Sequence, residues 1–214
     1  MRKLSLASIP VFTFAELQRS PLEFAPLGVA CLDAGMDGVQ RGAITEISGA
    51  RSTGKTTVAV STIVAATRRG EYCAYVDASD TLDVNSANEA GMEFSRLLWV
   101  RCGGNLRTAC KAADILLHAG GFGVVCLDIA NVGAMELNRI PGSYWFRYRK
   151  TVENTPTALL VLSTQHVTGT SCARAIECRR HEAVWEGRLL RGVKAQAIPR
   201  KPVRSAMNFV AKAM

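Results

Sequence analysis

The segment Gly49-Ala50-Arg51-Ser52-Thr53-Gly54-Lys55-Thr56 constrains what this chain can fold into more than any other. It fits the spacing G-x-x-x-x-G-K-[ST]. In that pattern glycines let backbone N–H groups close around a phosphate, and the N-terminus of the following helix adds partial positive charge. Such a cradle must join a strand to a helix, and the flanks supply both. Ala43-Ile44-Thr45-Glu46-Ile47-Ser48 reads as a strand, and Thr57 to Arg69 reads as a helix with Val58, Ile63 and Val64 among its apolar positions. The candidate phosphate-binding residues are therefore Gly49, Ala50, Arg51, Ser52, Thr53, Gly54, Lys55, Thr56 and Thr57. Lys55 is placed to reach terminal phosphates, and the Thr56 hydroxyl to ligate Mg²⁺. A glycine-rich turn that fits the pattern by accident is the competing reading, and the correct flanks weigh against it.

The rest of the chain reads as a setting for that loop. Its 214 residues, 48% of them hydrophobic, suit one α/β domain with short extensions. No apolar run approaches the ~18–20 residues of a membrane span, so no membrane association is expected. Met1-Arg2-Lys3-Leu4-Ser5-Leu6 starts as a leader does, but Ser8 and Pro10 break its apolar run and Glu16 and Arg19 follow, so export is not expected. The seven cysteines form no C-x-x-C pair; they read as reduced, mostly buried thiols of a cytoplasmic protein, and they do not support a zinc site.

The expected organisation is an N-terminal arm over residues 1–27, a core over 28–199 and a basic tail over 200–214. In the arm, Thr13 and Glu16 have capping-box spacing for a short helix, limited by Pro21 and Pro26. In the core, short apolar strands are expected at Tyr72–Val76, Leu97–Arg101, Val124–Leu127 and Ala158–Leu162. Helices are expected at Leu106–His118, stopped by Gly120-Gly121, and at Tyr144–Glu153. This alternation predicts a mainly parallel sheet flanked by helices on both faces. Arg174–Cys178 and Ala183–Arg191 are more polar and suggest antiparallel strands at its edge. Beyond Pro199 the tail is expected to be loose.

Net charge is +8, and from Arg174 onward ten Lys/Arg face three Glu, so nearly all the excess lies in the last fifth of the chain. Contact with nucleic acid and a merely solvated basic surface both account for that, because aromatic residues there are only Trp185 and Phe209.

Acids and amides at strand ends complete the candidate site. Val124-Val125-Cys126-Leu127-Asp128 is an apolar strand ending in an acid that could hold Mg²⁺ beside Thr56, or that simply caps its strand. Asp77, Ser79, Asp80 and Gln165 lie where residues that position water would emerge, at C-terminal strand ends.

The order of these motifs resembles the core of the RecA family of ATPases over roughly residues 28 to 199. The lead-in from Leu32-Asp33 to Gly49, the segment Tyr75-Val76-Asp77-Ala78-Ser79-Asp80-Thr81-Leu82-Asp83, the Asp128 strand and the strand running into Gln165 carry the likeness. The resemblance implies ATP and Mg²⁺ as cofactors. The family's catalytic glutamate falls at Ser79, leaving Asp80, one residue on, and Gln165 as candidate catalytic residues beside Lys55. Its adenine-contacting aspartate falls at Asp83, with Ser86 in place of the tyrosine that follows. Of a late lysine pair that reaches a neighbouring subunit's ATP, Lys194 is kept and the second is Gln196. The family's DNA-binding loops correspond to about Gly133–Ser143 and His166–Cys172, both abbreviated, and no large C-terminal domain is expected to follow.

Short, degenerate RecA-like chains of this kind resemble ImuA, a family that acts in SOS mutagenesis by translesion synthesis. That resemblance implies binding to RecA or to a polymerase homologue of the mutagenesis complex, in damage response and repair. Phe12-Thr13-Phe14-Ala15 also matches F-x-x-A, with which other recombinases dock onto a neighbouring core, so Phe12 and Ala15 are candidates for self-association; a self-packed helix start is the simpler reading. Three functions stay open. The chain is an ATP-binding accessory protein with weak or absent hydrolysis, or a DNA-dependent ATPase that forms filaments on single-stranded DNA. The third is a small-molecule kinase with Arg147 and Arg149 in a lid.

Overall fold

The computed structural model describes residues 22–212. A two-strand ribbon, β1 (Phe24–Ala25) and β2 (Val39–Gln40), encloses the short helix α1 (Ala30–Met36). Asp33 holds the turn into α1 by accepting the N–H groups of Leu27 and Gly28. Then come β3 (Ile44–Ser48), α2 (Lys55–Arg68), β4 (Cys73–Asp77), α3 (Val84–Glu89), β5 (Leu97–Arg101) and α4 (Leu106–Ala119). They are followed by β6 (Val124–Asp128), α5 (Ala134–Leu137), α6 (Gly142–Val152), β7 (Ala158–Ser163), β8 (Arg174–Glu186), β9 (Leu189–Lys201) and β10 (Met207–Lys212).

Eight strands form one sheet in the order β10-β9-β8-β3-β7-β6-β4-β5. From β8 to β5 all neighbours are parallel, whereas β9 and β10 join antiparallel. The mainly parallel sheet with antiparallel strands near the C-terminus is the architecture expected from the alternation of apolar strands and helices. Strand period two divides the core. Tyr75, Cys126, Leu160 and Leu162 pack with α2 and α1 on one face, while Val76, Leu127, Leu159 and Val161 pack with α4 and α6 on the other. Asn105 caps α4 by accepting the Thr108 N–H, and Gly120 ends it, as expected. On that second face Tyr148 of α6 donates to the Cys110 carbonyl of α4 at 2.7 Å.

Some expectations change. Ala183–Arg191 is not one strand but the paired ends of β8 and β9 with the turn between them, the tip of a long antiparallel hairpin: Gly187, at φ 60°, turns the chain there. The first strand of the pair is parallel to β3 at its start, so it extends the main sheet before it turns back. The stretch expected to be loose carries β10, whose Phe209 and Ala211 are buried, and β9 itself continues past Pro199 to Lys201. The region corresponding to the first DNA-binding loop is not an open loop; it holds α5 and the start of α6. The capping box at Thr13 and Glu16 and the Phe12/Ala15 anchor lie outside the described residues.

Candidate functional site

β3 delivers Gly49 to the C-terminal edge of the sheet, and the chain turns through Ser52 (φ 56°) and Gly54 (φ 83°) into α2. Gly54 is the N-cap of α2 and offers no side-chain acceptor, so the first-turn N–H groups of a fourteen-residue helix have no cap. These are the donors an anion takes up. A side chain fits at neither loop glycine. A Cβ at Gly49 would overlap the Cys178 carbonyl, and one at Gly54 would lie 2.8 Å from the Phe209 ring.

Lys55 is buried under the loop. Its ammonium donates to the carbonyls of Gly49 at 2.7 Å and Ala50 at 2.5 Å, and to the Thr53 hydroxyl at 3.4 Å. Burial lowers its pKa from the ordinary lysine value, with nearby Asp128 pulling the other way. Cys178 cannot serve as its counter-ion, because burial pushes that thiol up to about 12. The ammonium is thus a desolvated cation held only by neutral oxygens, and it gains from an anion entering the loop.

Asp128 stands at the end of β6, two strands from β3, and is buried. One oxygen accepts the Tyr75 hydroxyl at 2.6 Å and the other accepts the Ala130 N–H at 2.9 Å. Burial raises its pKa, and these two donors counteract the rise. Sequence reading did not single out Tyr75 as its partner. The loop N–H groups, the uncapped first turn and Lys55 could hold the phosphates of a nucleotide, and Thr56, which lines the same cavity, could hold its cation; Asp128 acts on Lys55 electrostatically but lines neither cavity at the loop, and each of its oxygens already accepts a donor.

The other candidates separate into those that join the loop and those that do not. Gln165 joins it: with Gly49, Ala50, Arg51, Thr53 and Arg180 it lines a cavity of about 920 Å³, and its amide donates to Asn138 at 2.7 Å. Asp77 does not; its carboxylate accepts the N–H groups of Thr81 and Leu82 and shapes the turn after β4. That turn puts Asp80 at φ 55° and aims it sideways, toward the Gly103 N–H and the Arg101 guanidinium, both at 3.3 Å. Asp80 lines neither cavity at the loop. Asp83 caps α3, accepting from Asn85 and Ser86, and those donors lower its pKa. Lys194 pairs with Glu182 at 2.9 Å and lines a separate cavity with His181 and Asn208. Arg147 pairs with Asp114 of α4, on the other face of the sheet from α2.

One buried residue of the site went unmarked in the sequence. Glu46 of β3 is fully buried and accepts from Ser163, the Val167 and Thr168 N–H groups and the Thr168 hydroxyl, with the His166 ring at 2.6 Å. Cys172 lies close by, but the carboxylate oxygens are already filled by these donors. Glu46 therefore anchors the short segment after Gln165. An acid inside an apolar strand was the available signal.

This arrangement defines a class: a parallel α/β domain with a phosphate cradle at the edge of its sheet. The family follows from comparison with known proteins. Residues 8–139 match the RecA N-terminal domain, and the chain belongs to that family. It is 37% identical over 112 residues to protein RecA of a Nocardioides species, a stretch covering 51% of this chain and 32% of that protein. Likewise it is 33% identical over 120 residues to protein RecA of Amycolatopsis mediterranei, covering 55% and 34%. The aligned stretch thus spans about a third of the length of these relatives. The crystal structure of the RadB recombinase shares the fold, with a TM-score of 0.68 over 87% of this chain and 96% of that one, at 17% identity.

Proposed function

We propose that this chain is an ATP–Mg²⁺-binding accessory protein of DNA damage response, of the ImuA kind, serving translesion mutagenesis with weak or absent ATP hydrolysis. One observation carries the reading: an intact cradle with no carboxylate aimed at it from the β4 turn. Lys55, Thr56 and Asp128 are the binding residues in this reading, while Ser79 stands where the family resemblance puts the catalytic glutamate and Asp80 is turned to Arg101 and Gly103. Bound ATP–Mg²⁺ would supply the charge that pairs with Lys55. The chain's own part is to hold the phosphates on the N–H groups of the loop and the first turn of α2, and to place Gln165 where it senses the terminal phosphate. In such a protein the nucleotide sets a surface rather than drives a motor. RecA or a polymerase homologue is the partner this reading implies, and Lys194, which is paired with Glu182 and lines neither cavity at the loop, would serve a neighbour's nucleotide rather than its own.

The test is ATP binding and turnover by the purified protein, with and without single-stranded DNA, beside Lys55→Ala and Ser79→Glu. The expected result is binding that Lys55→Ala abolishes, turnover near background, and a gain with Ser79→Glu. Turnover strongly stimulated by DNA in the wild type would instead establish the filament-forming ATPase and sink the accessory reading.

A further inference from the structure

The β8–β9 hairpin overhangs the loop, and strand register fixes which of its side chains face it. Arg180, Ala195 and Phe209 form one row across β8, β9 and β10, and Ala183, Val193 and Ala211 form the next. Trp185 and Leu190 face each other one step further out. The first two rows touch the loop directly, since Phe209 and Ala211 are the nearest neighbours of Gly54. This face and the loop enclose a cavity of about 690 Å³. Lys55, Thr56 and Thr57 form one wall, Thr81 and Asn131 lie at the strand ends, and Arg180, Trp185 and Leu190 belong to the hairpin.

The chemistry along this face is graded. Arg180 has no hydrogen-bond or ion-pair partner among the described residues, while Arg179, Arg191 and Lys194 of the same hairpin are all paired to glutamates. Arg180 also lines the second cavity, which Arg51, Thr53 and Gln165 share, so it stands where phosphates would lie. Ala183, Val193 and Ala211 are small and leave a trough. Beyond them Trp185 is 60% exposed and Leu190 is 38% exposed, an apolar pair with an open aromatic face. Cation, trough and aromatic plate in sequence complement phosphate, sugar and base. Asp83 and Ser86 are occupied with each other at the start of α3, so a base platform is otherwise lacking at the places the family resemblance suggests.

We propose that the distal half of the β8–β9 hairpin is the base-binding wall of the nucleotide site, with Trp185 stacking on the nucleobase and Arg180 contacting the phosphates within the same chain. This rests on the nucleotide-binding reading above. Stacking on an aromatic side chain tolerates any base, so purine triphosphates should bind with little discrimination among bases.

The test measures calorimetric binding of ATP and of inorganic tripolyphosphate, each with Mg²⁺, to wild type, Trp185→Ala, Trp185→Phe and Arg180→Ala. Trp185→Ala should weaken ATP about tenfold and leave tripolyphosphate unchanged, and Trp185→Phe should stay within about threefold of wild type. Arg180→Ala should weaken both ligands. Unchanged ATP affinity in Trp185→Ala, or equal loss of both ligands in it, would overturn the base-wall assignment while leaving nucleotide binding standing. An Arg180→Ala variant that binds both ligands normally would overturn the phosphate contact. Wild type that binds neither ligand would fail the nucleotide-binding reading itself.

Discussion

Tyr75 and Asp128 form a buried pair whose strength depends on pH. The Tyr75 hydroxyl is fully desolvated, its pKa pushed well above the ordinary tyrosine value by burial, so it stays a donor to the carboxylate at 2.6 Å. Removing a donor from a charged acceptor costs about 1.5–3 kcal/mol, so Tyr75→Phe should lose about that much stability at neutral pH. The sign with pH follows from the raised pKa of Asp128. The folded protein holds this proton more tightly than the unfolded chain, so the group favours folding increasingly as pH falls through the folded-state pKa. Losing the hydroxyl raises that pKa further. The gap between wild type and variant should therefore narrow toward acid in denaturant titrations. A gap independent of pH would show that the hydroxyl does not act through the ionised carboxylate. Asp80 makes the complementary point at this scale: a single left-handed residue separates a carboxylate aimed at the loop from one aimed at Arg101.

Two elements hold the loop from opposite sides. β10 covers it: Phe209 is buried against Gly54, so Phe209→Ala should cost about 3 kcal/mol and weaken ATP binding by loosening the turn. Equilibrium unfolding and calorimetry check the two effects, and full ATP affinity in the variant would show that β10 merely caps the sheet. On the other side, the segment from His166 to Thr168 hangs on Glu46 of β3. Glu46→Ala leaves buried donors without an acceptor and should cost about 3 kcal/mol. Amide exchange at Val167 and Thr168 should accelerate more than at β6. Equal acceleration everywhere would mean a general loss of stability rather than release of this segment. Where a DNA-binding loop was expected, the structure thus has a short turn tied to the central strand.

At the scale of the whole molecule the charge of +8 is less available than it looks. Arg179 and Arg200 share Glu177, Arg191 and Lys194 hold Glu186 and Glu182, Arg204 holds Asp37, and Lys201 binds backbone carbonyls. In the stretch from Arg174 onward, where the excess charge lies, Arg180 and Arg188 are the arginines left without an ion-pair partner among the described residues. Binding to single-stranded DNA should then fall with salt at a slope shallower than about −2 in a log–log plot, the value about three contacts would give. A much steeper slope would show that these pairs open onto DNA. The sequence by itself determined the loop, the alternation of strands and helices, and the acid at the end of β6. Each of these is written in neighbouring residues: a glycine spacing, a two-residue or four-residue apolar period, a run of apolar side chains before Asp128. Only the tertiary structure decided where Asp80 aims, that Ala183–Arg191 is a hairpin tip, that the tail is a strand on the loop, and that Glu46 and Trp185 belong to the site. Those facts depend on the sign of one φ angle and on pairing between segments more than a hundred residues apart, such as Glu46 with Val167 and Thr168 and Gly54 with Phe209. Contacts at that range carry no local pattern, because burial and register set them only once the sheet has formed.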